Sequence, residues 1–298
     1  MEFEVWGLTG SLHTERHDQM GLAEDRLWYW IEAFDNACNR FRTDSEISRL
    51  NAASDTQRVS SVFELALDGA LRASHATQGL CDPTVLPALV ALGYDCDYDE
   101  LRTKHLDLER PPIKPLGLKA VSLDRQDHTV TLSPNCQLDL GASAKALVVD
   151  YVANEVATTG GVVVEIGGDV AVRGRGADGP WVIGVSDSLD VTSHQPRVAM
   201  SMGGVATSST TSRTWTVGSR LANHIIDPRT GSFAQGPYAT ATVSADSCLM
   251  ANAFSTAALL WGDDAGYYIG QAGWSGRLVR HDGTVEFVGG WPHDEVLT

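Results

Sequence analysis

Residues 162–173 read VVVEIGGDVAVR, and the reading of this stretch decides the fold. Two runs rich in β-branched residues flank Gly167-Gly168. Each run is too short for a helix, and a Gly-Gly pair between strands suits a tight hairpin whose turn residues need positive φ. Further strands are predicted downstream at 181–185, 198–206, around His224–Ile226 and at 239–243, and upstream at 3–13, 118–124 and 129–132. Helical periodicity runs from Asp18 to about Asn39 through Leu22, Leu27, Trp30, Ile31 and Phe34. Other helices are predicted after Asp44 or Ser45, over 62–77 closed by Gly79, over 141–159, and from Ser247 to Trp261 with Gly262 as its stop. The C-terminal stretch reads as one more helix and strand pair, and Pro111–Pro115 as a surface connection. Helices and strands alternate without a βαβ rhythm. The expected fold class is therefore α+β, a layered arrangement of mixed or antiparallel sheets with packed helices.

A chain of 298 residues can bury a large core, as one domain or as two intimately packed halves; a single domain over 1–298 is expected. The net charge of −16 leaves no basic face for nucleic acid, so none is expected as a partner. An anionic ligand would need backbone amides, a few cations or a metal to offset that field. No run of about 18 apolar residues is present, so no membrane insertion is expected. The first fifteen residues carry acids where a signal peptide carries bases. The cysteines, Cys38, Cys81, Cys96, Cys136 and Cys248, are dispersed and odd in number. They read as reduced thiols, and the expected location is cytoplasmic.

Two motifs mislead. Gly174–Gly179 matches a dinucleotide fingerprint by letters, but Pro180 and a strand follow where a helix is required. His13 and His17 have zinc-helix spacing at a strand-to-helix transition, without the rest of that pattern.

Three segments can carry chemistry. In DLGASAK, Asp139–Lys145, small residues open a helix whose unpaired N–H groups and dipole favour an anion, and Lys145 adds a mobile positive charge. Taken alone, it is equally an ordinary helix start. In NHIIDPRTG, Asn223–Gly231, His224 stands at a strand end before a tight turn, where an imidazole can take a proton from a hydroxyl; a structural histidine is the plainer alternative. In MANAFSTAALLWG, Met250–Gly262, Asn252 and Thr256 share a helix face and could hold a hard cation through oxygen, or simply bond between helices.

In order along most of the chain, these segments resemble the ApbE family of FAD:protein FMN transferases. NRFRTDSEISRLN (39–51), CDPTVLPALVALGY (81–94), DLGASAKALVVDYVA, VEIGGDVAVRG, GVATSS, HIIDPRTG and ANAFSTAALLWG each match a family segment. HIIDPRTG is identical to the family form. The resemblance implies FAD as donor substrate, Mg²⁺ at its diphosphate, a partner protein whose threonine or serine accepts FMN, and AMP as product. It assigns His224 as general base and Lys145 to the phosphates. Ala144 (through its carbonyl), Asn252 and Thr256 are assigned to the metal. Asp82, Pro83, Thr84, Gly141, Gly167, Gly168, Asp169, Thr207, Ser208 and Asp227 are assigned to the flavin nucleotide. One departure bears on the metal: Asn252 stands where the family usually has Asp, so a neutral ligand replaces a charged one. Ser209, Ala146, Ala142 and Ser143 are milder departures. A non-catalytic FAD-binding protein and a metal-dependent FAD pyrophosphatase are the alternatives.

Overall fold

The computed structural model describes residues 1–104, 106, 111–185 and 196–292. The chain divides into two compact units interleaved in sequence: residues 1–31, 145–212 and 237–298 form one, and residues 32–144 and 213–236 the other. No helix among the described residues is long and apolar enough to cross a membrane.

The first unit is built on an eight-stranded sheet of β1 (Glu2–Val5), β2 (Leu8–Thr14), β3 (Val162–Ile166), β4 (Asp169–Arg173), β5 (Met202–Ser209), β6 (Tyr238–Ala245), β7 (Ser275–Arg280) and β8 (Val285–Val288). The strands lie in sequence order and every neighbouring pair is antiparallel. The α+β class holds. The central hairpin is the predicted one, with Gly167 and Gly168 at φ 58° and 87° between Ile166 and its partner Asp169. Residues 3–13 are not one strand but a hairpin, because Trp6 and Gly7 both take positive φ (53° and 68°) between the partners Val5 and Leu8. The predicted strand at 198–206 is also two pieces. Arg197–Met200 pairs with Trp181–Gly184 as a separate ribbon, and β5 enters the main sheet.

Three helices matter here: α1 (Met20–Cys38), α2 (Gly141–Val156) and α3 (Cys248–Trp261). Within the first unit, Trp30 of α1 stacks on Tyr151 of α2, ring centroids 4.6 Å apart, and its Nε1 donates to Glu155 at 3.2 Å. The helix α3 is buried almost all round, as expected for one apolar on every face. It lies on β5 and β6. Ser247 caps it by accepting from Met250 N–H, and Gly262 ends it at φ 62°. Gly204 on β5 permits the approach, since a Cβ there would lie 2.3 Å from the backbone nitrogen of Cys248.

The second unit holds the helices Glu46–Ala52, Ser61–Ala76, Leu86–Ala91 and Tyr98–Leu101, the first two capped by Ser45 and Ser60. Gln57–Arg58, Thr129–Leu132 and Val121–Asp124 form a three-stranded sheet. Two hairpins, Thr214–Val217 with Arg220–Asn223 and Ile226–Asp227 with Ser232–Phe233, complete it. Its core gathers Leu89, Leu92, Tyr94, Leu101, Trp215 and Phe233.

Candidate functional site

The first unit holds eight of the residues singled out in the sequence: Lys145, Gly167, Gly168, Asp169, Thr207, Ser208, Asn252 and Thr256. The Gly167-Gly168 turn delivers Asp169 as the first residue of β4, 2% exposed. Its carboxylate accepts from Lys145 Nζ at 2.7 Å through one oxygen and from Asn252 Nδ2 at 2.7 Å through the other. A carboxylate accepts, so the amide must turn its NH₂ toward Asp169. That leaves Asn252 Oδ1 as the atom not bound to Asp169, and this oxygen is buried with no hydrogen-bond partner. One turn along α3, Thr256 Oγ1 lies 3.0 Å from Ser208 Oγ, which lies 2.8 Å from Ser255 Oγ. Thr207, half-buried, pairs with Thr242 across β5 and β6, with the hydroxyl oxygens 2.8 Å apart.

The expectation of a mobile Lys145 is therefore refined. Its ammonium is engaged with Asp169 and only 23% exposed, so its immediate task is to neutralise a buried carboxylate. No grouping of three or more His, Cys, Asp or Glu able to hold a metal ion occurs among the described residues. The cation candidates are neutral oxygens instead. An unpartnered buried amide oxygen is an anomaly in a folded interior, and a hard cation is a ligand that would satisfy it. Asn252 and Thr256, four apart on α3, fit such an ion.

The second unit positions the remaining residues. In the Asp82-Pro83-Thr84 loop, Asp82 Oδ1 accepts from the backbone N–H and the hydroxyl of Thr84, both at 2.8 Å, and Thr84 Oγ1 accepts from Gly117 N–H at 2.9 Å. Burial pushes the Asp82 carboxyl above the usual carboxylate range, against the two bonds from Thr84. Pro83 carbonyl accepts from Asp139 N–H at 2.8 Å. Asp139 then takes Gly141 N–H on Oδ1 at 2.7 Å and pairs with Arg40 Nε at 2.7 Å. Ser143 and Ala144 N–H groups both reach Leu140 carbonyl. The mouth of α2 is thus largely capped by the chain itself, a closure the small residues of DLGASAK did not announce.

His224 is half-buried between two strands rather than within one. Asn223 brackets it, its Oδ1 accepting from Ile225 N–H at 3.1 Å and its Nδ2 donating to Ala234 carbonyl at 3.0 Å. Asp227 holds Arg229 by two side-chain bonds, at 2.9 and 2.8 Å, within the turn. His13 lies in β2 and His17 in a 3-10 turn, so the zinc-helix spacing is not realised. Gly176 and Gly179 close a turn before a strand, as the sequence predicted. Ser255, Asp150 and Arg173 were not singled out; buried polar residues inside an apolar helix were the only available signal for the first.

Known proteins resemble this chain in sequence and in fold. The family model described as the ApbE family matches residues 6–273. The FAD:protein FMN transferase of Vibrio cholerae is 28% identical over 256 residues, covering 83% of this chain and 75% of that one. That of Haemophilus influenzae is 28% identical over 237 residues, covering 75% and 68%. Among solved structures, the ApbE protein of Thermotoga maritima superposes with TM-score 0.80 at 22% identity, covering 97% of this chain and 96% of that one. The flavin transferase ApbE of Vibrio cholerae gives 0.76 at 22% identity, covering 98% and 97%. At that identity the structures speak for the fold alone.

Proposed function

The chain belongs to the ApbE family, and from that premise we propose that it transfers FMN from FAD to a threonine or serine hydroxyl of another protein, releasing AMP. The relatives named above are FAD:protein FMN transferases by name. The observation that carries the reading to this chain is Asn252, whose buried Oδ1 faces away from Asp169 without a partner.

Phosphoryl transfer asks a protein for positioning and charge neutralisation more than for covalent chemistry. The target oxygen forms a bond to the FMN-side phosphorus. The bond from that phosphorus to the bridging oxygen breaks, AMP leaves with the electron pair, and the hydroxyl proton passes to His224. Mg²⁺, held by the Ala144 carbonyl, Asn252 and Thr256, would neutralise the diphosphate. His224 suits the proton-accepting role because Asn223 fixes the backbone on both sides of it. Asp169 and Lys145 neutralise each other and set the Asn252 amide. Asp82, Pro83, Thr84, Gly141, Gly167, Gly168, Thr207, Ser208 and Asp227 are the residues assigned to hold the nucleotide.

The test is incubation with FAD, Mg²⁺ and a flavin-acceptor domain. Covalent flavin fluorescence on the denatured acceptor with an equal amount of AMP is expected, and His224→Ala should slow transfer by roughly 100-fold or more. Absence of both products with the unaltered protein sinks the reading. The amide at position 252 favours one rival, a non-catalytic FAD-binding protein, for which FAD would bind equally with and without Mg²⁺. Free FMN and AMP without acceptor would instead indicate a hydrolase.

A further inference from the structure

We propose that Ser255 is a positioning residue that, through Ser208, orients the hydroxyl of Thr256 as a pure acceptor toward the cation. This rests on the cation assignment made above.

The direction of each bond follows from counting protons. Ser255 Oγ donates to Asn252 carbonyl at 3.0 Å, and a carbonyl can only accept. Ser255 has a single hydroxyl proton, so at its 2.8 Å contact with Ser208 it must accept. Ser208 has then spent its own proton, so at its 3.0 Å contact with Thr256 it too must accept. The Thr256 proton is thereby drawn toward Ser208, and the remaining lone pairs of Thr256 are left for a ligand. All three hydroxyls are buried, Ser255 completely. The order of the chain is fixed by its carbonyl end.

The neighbouring ligand position is polarised in the same sense by other means. Asp169 takes the amide NH₂ of Asn252 and leaves Oδ1 without a partner. Two oxygens, one turn apart, therefore both keep lone pairs free of the groups that hold them. Outer partners of this kind typically change metal affinity by about 10- to 100-fold when removed.

A structural role for Ser255 and an orienting one predict different mutant patterns. In Ser255→Ala, Ser208 regains a free proton and can donate it to Thr256, which turns the Thr256 proton toward the cation. In Ser208→Ala, Thr256 loses its acceptor while Ser255 still occupies the Asn252 carbonyl. In the double variant that carbonyl is released, and Thr256 can donate to it, the bond from a helical hydroxyl to the carbonyl four residues earlier. The double variant should therefore be better than Ser208→Ala.

The experiment measures FAD binding by flavin fluorescence, without acceptor, in the absence and presence of manganese(II). The readout is the factor by which the ion tightens FAD binding. Ser255→Ala should lower that factor by on the order of 10-fold while leaving ion-free FAD affinity unchanged, and the lowered factor of Ser208→Ala should be largely restored in the double variant. Single variants that keep the factor of the unaltered protein, or a double variant no better than Ser208→Ala, overturn the proposal while the transferase reading stands. An unaltered protein whose FAD affinity ignores manganese(II) overturns both. Ser208→Ala carries the same test if Ser255→Ala does not fold.

Discussion

Two buried ion pairs link α2 to β4 in the first unit, with opposite polarity. At one, Lys145 on the helix meets Asp169 at the start of the strand; at the other, Asp150 on the helix meets Arg173 at the strand's end. Both also reach α3, through Asn252 in the first case and through the backbone N–H groups of Cys248 and Leu249 in the second. The Asp150 pair is saturated. Arg173 donates to Asn154 at 2.7 Å and to the carbonyls of Val172 and Gly203, both at 2.9 Å, while Asp150 secures the opening of α3 at 3.0 and 2.9 Å. The Asp169 carboxylate is buried too, yet its pair leaves one amide oxygen unsatisfied beside it. Charge buried for architecture is enclosed by partners, and an acceptor left open among such partners marks where a ligand belongs.

The largest expected effect breaks the saturated pair. Arg173→Ala leaves the Asp150 carboxylate buried without its cation and should cost about 3–5 kcal/mol of stability, read from denaturant unfolding. Ion-free FAD affinity of the folded fraction should stay unchanged. A loss below about 1 kcal/mol would show that this pair is not the structural one.

A smaller effect sharpens the other member. Asn252→Asp replaces the donor to Asp169 with a second carboxylate, so the apo protein should lose about 2 kcal/mol. Millimolar Mg²⁺ should return much of it, and thermal melting with and without the ion checks both parts. Melting unmoved by the ion would remove the distinction between the two pairs.

The smallest effect is pH-dependent. Burial pushes the Asp150 carboxyl above its ordinary value of 3.8, against the backbone N–H groups and Arg173, which pull it down. The folded protein then holds this proton more tightly than the unfolded chain. The group's contribution to stability grows as pH falls from its raised folded value toward 3.8. Unaltered protein should therefore gain on Asp150→Asn across that acid window. A gap independent of pH would mean burial does not govern this carboxyl.

What was legible in the sequence is what is local. The Gly167-Gly168 hairpin, the helix start near Ser247, the Gly262 stop and the i, i+4 relation of Asn252 and Thr256 each follow from a few adjacent residues. The turn at Trp6-Gly7 escaped because a tryptophan occupies a left-handed position that sequence rules reserve for Gly, Asn or Asp. Lys145 looked mobile because its partner is 24 residues away, and the bond from Asn252 to Asp169 spans 83. No periodicity encodes such pairings; the sheet creates them by bringing β4 beneath α3. Ser255 was hidden for a different reason, since one serine in an apolar helix announces burial but not the direction of its proton.

The sheet of the first unit has its strands in sequence order, yet the chain leaves that unit twice, for residues 32–144 and 213–236. During synthesis the N-terminal hairpin must therefore wait for its neighbour β3, which begins only at Val162. A nascent chain that has not reached Pro237 owns five of the eight strands and displays β5 as a bare edge. Such an edge is open to pairing with other chains until β6 arrives. Ribosome stalling ahead of that point should yield aggregation-prone fragments, and chaperone occupancy should fall as residues 238–245 emerge.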